Sequence, residues 1–217
     1  MEDKVNLILF GPPGAGKGTQ AQIIVKKHNY FQLSTGDLLR AETHKNSALS
    51  SKIEKLISNG QFVSDEIVND LLRKTISDLK FRDRIIFDGY PRSVKQSEDL
   101  EVILSEFGKK VELVISLNVS REIIKKRIMG RITCKKCNLT LNEYFNKEEI
   151  KLHPCGEEFF TKRKDDNLET IISRYDKYIE TTKPVLDFLS KKIKLVEIDG
   201  TLKIDLITAK IDEIINV

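Results

Sequence analysis

The run Gly11-Pro12-Pro13-Gly14-Ala15-Gly16-Lys17-Gly18-Thr19 constrains the fold more than any other feature of this 217-residue chain. An apolar stretch, Val5-Asn6-Leu7-Ile8-Leu9-Phe10, precedes it and reads as a buried strand, and Gln20-Ala21-Gln22-Ile23-Ile24-Val25 follows with helical character. Strand, glycine-rich turn, lysine and helix form the arrangement that cradles nucleotide phosphates. The glycines let backbone N–H groups converge on one anion where side chains would obstruct them. The helix start adds unpaired N–H donors and a positive dipole end, and Lys17 adds a mobile ammonium. The usual pattern places Ser or Thr directly after the lysine to bind magnesium. Here Gly18 stands there, and the hydroxyl comes one residue later at Thr19.

Further along, strand and helix signals alternate. Tyr30-Phe31-Gln32-Leu33, Arg84-Ile85-Ile86-Phe87-Asp88, Val111-Glu112-Leu113-Val114-Ile115-Ser116-Leu117 and Lys194-Leu195-Val196-Glu197-Ile198 read as four more strands. Between them lie helical patterns. Ser64 is a candidate cap for a helix with Asp65 and Glu66 in its first turn and Ile67, Val68, Leu71, Leu72 and Ile76 as its apolar face. A second helix covers 93–107 and stops at Gly108. Ser120 precedes a third, with Ile123, Ile124, Arg127 and Ile128, and a last helix spans roughly 204–215. This alternation predicts an α/β fold of three layers, a five-stranded parallel sheet covered by helices on both faces. Ligands of such sheets bind beyond the carboxyl ends of the strands, where Gly11 and Asp88 fall. Two stretches break the alternation: 34–63 is mostly helical and polar, and 130–166 is mixed, weakly apolar and cysteine-bearing. Both read as mobile lobes inserted into a core made of 1–33, 64–129 and 167–217.

A net charge of +4 is too small to argue by itself for nucleic acid or a membrane surface. The polar start Met1-Glu2-Asp3-Lys4 has no apolar signal region, and no apolar run approaches membrane-spanning length, so a cytoplasmic location is expected. The three cysteines, Cys134, Cys137 and Cys155, all fall in the second lobe. An odd, clustered set in such a chain points to metal before disulfide.

The glycine-rich run, Ser34-Thr35-Gly36-Asp37, Asp88-Gly89-Tyr90-Pro91-Arg92 and Thr161-Lys162-Arg163-Lys164-Asp165-Asp166 stand in the order and spacing of the adenylate kinases, which the chain resembles over nearly its whole length. The resemblance implies reversible phosphoryl transfer, ATP + AMP giving two ADP, with Mg²⁺ required, a role in adenine-nucleotide homeostasis, and a monomer. It makes 34–63 the AMP-binding lobe and 130–166 the long lid of the bacterial type. In this reading Gly14, Ala15, Gly16, Lys17, Gly18 and Thr19 bind ATP phosphates. Asp88 holds Mg²⁺ through water, compensating for Gly18. Arg40, Arg92, Arg163 and Arg174 surround the AMP phosphate and the transferred group, and Arg127 and Arg131 serve the ATP side. Four residues apart, Arg127 and Arg131 share a helix face if the helix continues past Gly130. Thr35 lines the AMP adenine pocket, Gln96 reads the adenine edge, and Gln61, Phe62 and Val63 add backbone contacts beside Gly89, Tyr90 and Pro91. Thr140 and Leu141 flank the ATP adenine, with Leu141 where the family often has an aromatic ring, and Leu202 contacts that base through its backbone.

The residue types suit this chemistry. An AMP phosphate oxygen is largely ionised near neutral pH, its second pKa being about 6, so no general base is needed. None of the motifs contains histidine, and His28 and His44 read as surface residues. Crowded phosphates need positive charge, alignment and exclusion of water. Arginine's planar fork pairs with two phosphate oxygens at once.

Cys134-Lys135-Lys136-Cys137 is a C-x-x-C knuckle, and in lidded relatives a second pair completes a tetrahedral zinc site. Cys155 matches the fourth family ligand, and the third falls on Leu152, which cannot bind metal. His153, one residue on, and Glu158, spaced as Cys155-x-x-Glu158, are the candidates for the missing ligand of a structural zinc, with a metal-free lid as the alternative. Two other functions compete. A UMP/CMP or GTP-using kinase is opposed by the long lid, Thr35 and Gln96 on the acceptor side, while Leu141 leaves the donor base open. A zinc ribbon binding nucleic acid through Lys135 and Lys136 leaves the phosphate loop and Asp88-Gly89-Tyr90-Pro91-Arg92 unexplained.

Overall fold

The computed structural model describes residues 5–45, 47–59, 61, 63–78, 84–163 and 166–215. Its central sheet contains β1 (Leu7–Phe10), β2 (Phe31–Ser34), β3 (Ile85–Asp88), β4 (Leu113–Asn118) and β8 (Lys194–Asp199). Spatial order is β2-β3-β1-β4-β8, every pairing is parallel, and β1 lies at the centre. A sheet buried on both faces needs apolar residues in both phases of the strand period, and β1 supplies them. Ile8 and Phe10 pack on one face with α4 (Asp65–Ser77), α5 (Val94–Ser105) and α9 (Lys183–Leu189). Leu7 and Leu9 pack on the other with α1 (Lys17–His28), α6 (Arg121–Met129), α8 (Leu168–Lys177) and α10 (Ile204–Ile215). The three layers expected from the alternation are therefore present.

Between β2 and α4 the chain builds α2 (Thr35–Thr43) and α3 (Ala48–Ser58). Ile53 of α3 is fully buried in the main core cluster, and Leu38, Leu39, Leu56 and Ile57 pack against it, so this polar stretch is anchored to the sheet layer by an apolar seam. Residues 131–161 contain a separate antiparallel sheet of β5 (Arg131–Cys134), β6 (Thr140–Asn142) and β7 (Phe160–Thr161), ordered β6-β5-β7, with the short helix α7 (Lys147–Lys151).

Three local expectations need correction. Ser64 occupies the N-cap position of α4, but its side chain accepts no capping bond. His28 is not a surface residue: its ring is 15% exposed, and its Nε2 lies 2.7 Å from Asp212 Oδ1, joining α1 to α10. The third concerns α6, which ends at Met129 with Gly130 as its C-cap, so Arg131 begins β5. Arg127 and Arg131 therefore share no helix face. A side chain at Gly130 would collide with the Tyr144 ring and the Asn142 amide, so the turn into β5 closes tightly over this position.

Candidate active site

The phosphate loop occupies the carboxyl end of β1. Gly16 caps α1 in the left-handed region (φ 98°), which leaves the first N–H groups of the helix free of any side-chain cap. Lys17, first residue of that helix, folds back so that its ammonium donates to the carbonyls of Gly11 (2.8 Å) and Pro12 (3.1 Å). Removal from water lowers its pKa to about 8, Asp88 opposes the shift, and Arg92 and Arg131 add to it. One ammonium thus feels the P-loop, the end of β3, the turn after it and the first lid strand. Ala15 is buried, and its carbonyl accepts from Arg127 Nη1 at 3.3 Å.

Asp88 ends β3, pairing in register with Ser34 of β2 and Leu9 of β1. Its Oδ2 lies 3.9 Å from where a Cβ on Gly18 would sit, so the carboxylate faces the position that lacks a hydroxyl. Gln32 Nε2 donates to the same oxygen at 3.0 Å. Asp88, supported by Gln32 and facing Gly18 of the loop, offers the oxygen donors that Mg²⁺ prefers.

Beyond Asp88 the chain turns through Gly89, Tyr90 and Pro91 to Arg92. The Gly89 carbonyl accepts from both Thr35 Oγ1 (3.0 Å) and Arg92 Nε (2.7 Å), which brings the start of α2 against the arginine. Tyr90 and Pro91 are buried, and the Tyr90 hydroxyl donates to Asn69 Oδ1 at 2.6 Å. Burial lowers the Arg92 guanidinium to about 10, with Arg174 and Arg40 pressing the same way and Asp88 opposing. Arg163 is likewise lowered to about 10 by burial, then by Arg131 and Arg40, against Asp37 and Asp166. Arginines from α2, α8, the turn after β3 and both ends of the 130–166 segment therefore converge. Mutual repulsion of this kind is tolerated where a polyanion is to be bound.

Carboxylates hold two of these cations in place. Arg40 pairs with Asp37, and Arg131 with Asp166 through two nitrogens. Burial would raise the Asp37 carboxyl, but the Arg40 charge and hydrogen bond hold it below its usual range. Arg174 Nη2 approaches the Ile57 carbonyl of α3 at 3.5 Å. The buried Gln96 amide accepts from the Arg92 backbone N–H at 2.7 Å and donates to Asp65. Val63 is buried in the core, the Gln61 N–H donates to the Leu56 carbonyl, and Phe62 lies outside the described residues. On the donor side Thr140 and Leu141 lie on β6, joined to α6 by Asn142, whose Nδ2 donates to the Arg127 carbonyl at 2.8 Å. Leu202 packs on the apolar cluster that holds Ala15 and Ile128. The sequence assigns no site role to Gln32, Asp37, Asp65, Asn142 or the pairing of Asp166 with Arg131. Each acts across the fold or as a partner of a motif residue, and of these Asp37 and Asp166 lie inside the phosphate-site motifs.

In the 130–166 segment, Cys134, Cys137, His153 and Cys155 place their ligand atoms within 4.8 Å of one another. Cys137 Sγ and His153 Nε2 are 3.3 Å apart. Tetrahedral zinc, with bonds of about 2.0–2.3 Å, needs ligand separations of roughly 3.3–3.8 Å, so the set fits after small adjustments. Burial would raise the Cys134 thiol, yet N–H groups of Cys137 and Lys136 and the His153 ring bring it down to about 6. Burial and then the neighbouring sulfurs push Cys155 up to about 11. Glu158 is absent from the cluster: its carboxylate folds back over Gly156, which has φ 97°.

A parallel sheet with a phosphate loop, a carboxylate at the next strand end, and arginines converging from two inserted segments define a nucleoside monophosphate kinase, a phosphotransferase. The adenylate kinase family model matches residues 9–194. The chain is 68% identical over 213 residues to an adenylate kinase of Pelagibacter ubique, covering 98% of this chain and all of that protein. It is 38% identical to an adenylate kinase of Listeria monocytogenes (97% and 99% covered) and 39% identical to one of Novosphingobium aromaticivorans (97% and 99%). The chain belongs to the adenylate kinase family, and its reaction is ATP + AMP to two ADP.

Proposed function

We propose that Lys17, Arg92, Arg131, Arg163 and Arg174 surround the phosphoryl group in flight, with ATP on the 14–19 loop and AMP against Thr35, Arg40 and Gln96. The observation that carries this reading is the shared electrostatic environment of Lys17, Asp88, Arg92 and Arg131 beyond the carboxyl ends of β1 and β3. The AMP phosphate attacks as an anion. The work of these residues is then to bind, align and neutralise the phosphates and to keep water from accepting the phosphoryl group. Lys17 exchanges its carbonyl partners for phosphate oxygens, and the arginines replace mutual repulsion with charge-assisted pairs. Mg²⁺ bound with ATP supplies further neutralisation, with Asp88 as its protein anchor through water. Arg127 serves the ATP side, Thr140 and Leu141 flank the ATP base, and Leu202 meets that base through its backbone. Gln61, Val63, Gly89, Tyr90 and Pro91 complete the AMP side. Segments 34–63 and 130–166 act as the AMP lobe and lid.

Cys134, Cys137, Cys155 and His153 hold a structural zinc, which supplies a cross-link between the two ends of the lid. The protein acts as a cytoplasmic monomer without nucleic-acid or membrane partners. Among the described residues no helix is long and apolar enough to cross a membrane. A coupled assay against a panel of mono- and triphosphates tests the substrate side. AMP with ATP and Mg²⁺ is expected to turn over far faster than UMP or CMP, and equal turnover of UMP overturns the assignment of Thr35 and Gln96.

A further inference from the structure

Gln96 is buried, only 6% exposed, and both ends of its side-chain amide are held. Its Oε1 accepts from the backbone N–H of Arg92 at 2.7 Å, and its Nε2 donates to Asp65 Oδ1 at 2.5 Å. The two ends of an amide are nearly the same size, so its partners decide which way it points. A backbone N–H only donates and a carboxylate only accepts. Both partners therefore demand the same orientation. Turning the amide over would set N–H against N–H at Arg92 and carbonyl against carboxylate at Asp65.

Two helix starts create this clamp. Gln96 is the third residue of α5, whose N-cap Ser93 accepts from the Gln96 N–H. As in a capping box, the glutamine reaches back toward the chain entering the helix, but it takes the Arg92 N–H in place of that of Ser93. Asp65 opens α4, where a carboxylate is favoured by the helix dipole. Each end of the amide keeps one hydrogen-bonding position unused in the clamp: one N–H on Nε2 and one lone pair on Oε1. The 1,6-edge of adenine offers the complement, an acceptor at N1 and a donor at the 6-amino group. Hypoxanthine offers the reverse, a donor at N1 and an acceptor at O6, and needs the amide turned over.

We infer that Asp65 is a specificity-determining positioning residue: by holding the Gln96 amide in one orientation, it makes the monophosphate site select 6-amino over 6-oxo purines. This rests on the proposed reading of Gln96 as the residue that meets the adenine edge. The same clamp ties base selection to Arg92, because the N–H that fixes Gln96 belongs to that arginine.

The test is kcat/KM for AMP and for IMP, which differ only along this edge, in the wild type and in Asp65→Ala, Asp65→Leu, Asp65→Asn and Gln96→Ala, with thermal melting to establish folding. Asp65→Ala is expected to lower the AMP:IMP preference at least tenfold, mainly through KM for the monophosphate. Asp65→Leu is read by the same criterion if the alanine variant does not fold. Asp65→Asn, which can still accept from Nε2, retains more of the preference than either. A preference within twofold of wild type in Asp65→Ala or Asp65→Leu, with Gln96→Ala destroying it, overturns the role of Asp65 alone. An unchanged preference in Gln96→Ala overturns the reading of Gln96 itself. A loss in Asp65→Asn as large as in Asp65→Ala overturns the acceptor argument.

Discussion

Arg131 and Asp166 meet fork to fork across the base of the lid. Arg131 Nε donates to Asp166 Oδ2 at 2.8 Å, and Nη2 donates to Oδ1. Arg131 is the first residue of β5 and Asp166 lies just before α8, so the pair joins the chain entering the lid to the chain leaving it. The Asp166 side chain is 1% exposed and that of Arg131 19%. Asp166→Ala leaves the Arg131 charge without this partner, beside Arg163 and Lys17. We expect a stability loss of about 3 kcal/mol, the cost of orphaning one member of a buried pair, read by urea unfolding. Activity should fall at least tenfold, and a variant unchanged in both respects would show that the pair positions nothing.

Lys17→Met and Arg92→Ala each remove a cation assigned to the transferring phosphoryl group. Loss of one such electrostatic contact is commonly worth about 3–4 kcal/mol in the transition state, a rate factor of roughly 100–1000. Circular dichroism and melting should show both variants folded. Retention of more than about a tenth of the wild-type rate would count against the assigned role.

Lys17 also gives the enzyme a pH signature. Its pKa is lowered to about 8, so in the free protein it is protonated below that pH and neutral above it. The activity that needs the ammonium is therefore present below pH 8 and lost as pH rises through it. Bound phosphates stabilise the charged form and carry the pKa upward. Because kcat/KM reports the free enzyme and kcat the complex, kcat/KM for ATP should decline above about pH 8 while kcat holds to higher pH. A profile between pH 6.5 and 9.5 checks this, and parallel decline of both parameters would contradict it.

The lid cluster makes a separate prediction for metal. Protein purified without chelators should carry one zinc. His153→Ala should lose it, while Glu158→Ala should keep it, by elemental analysis of each variant. Zinc removal should lower the melting temperature more than the chemical rate, since the cluster closes a small lobe with few apolar residues. Zinc retained in His153→Ala and lost in Glu158→Ala would reverse the ligand assignment.

Much of this protein was legible in its sequence because the informative patterns are local. Alternating apolar runs gave the strands of the main sheet and most of its helices, since burial on both faces of a parallel sheet requires such runs. The glycines before Lys17 work through residues a few positions apart, and they were readable for that reason, whereas the cap at Ser93 emerged only with the folded helix. The order β2-β3-β1-β4-β8 was decided by the packing of helices on two faces, which no single segment encodes. Tertiary structure also broke α6 at Gly130, where Tyr144 and Asn142 fold over a position that spacing alone leaves inside a helix. His153 was placed with the cysteines, and Glu158 excluded, by the path of the chain through α7 and Gly156. Gln32 beside Asp88 and Asp65 beside Gln96 are 56 and 31 residues from their partners, too far for any periodic signal to join them. Residue chemistry and short spacing determined what kind of site this is. Only the folded chain determined which side chains hold that site in its working orientation, because those contacts exist only once strands and helices distant in sequence have packed together.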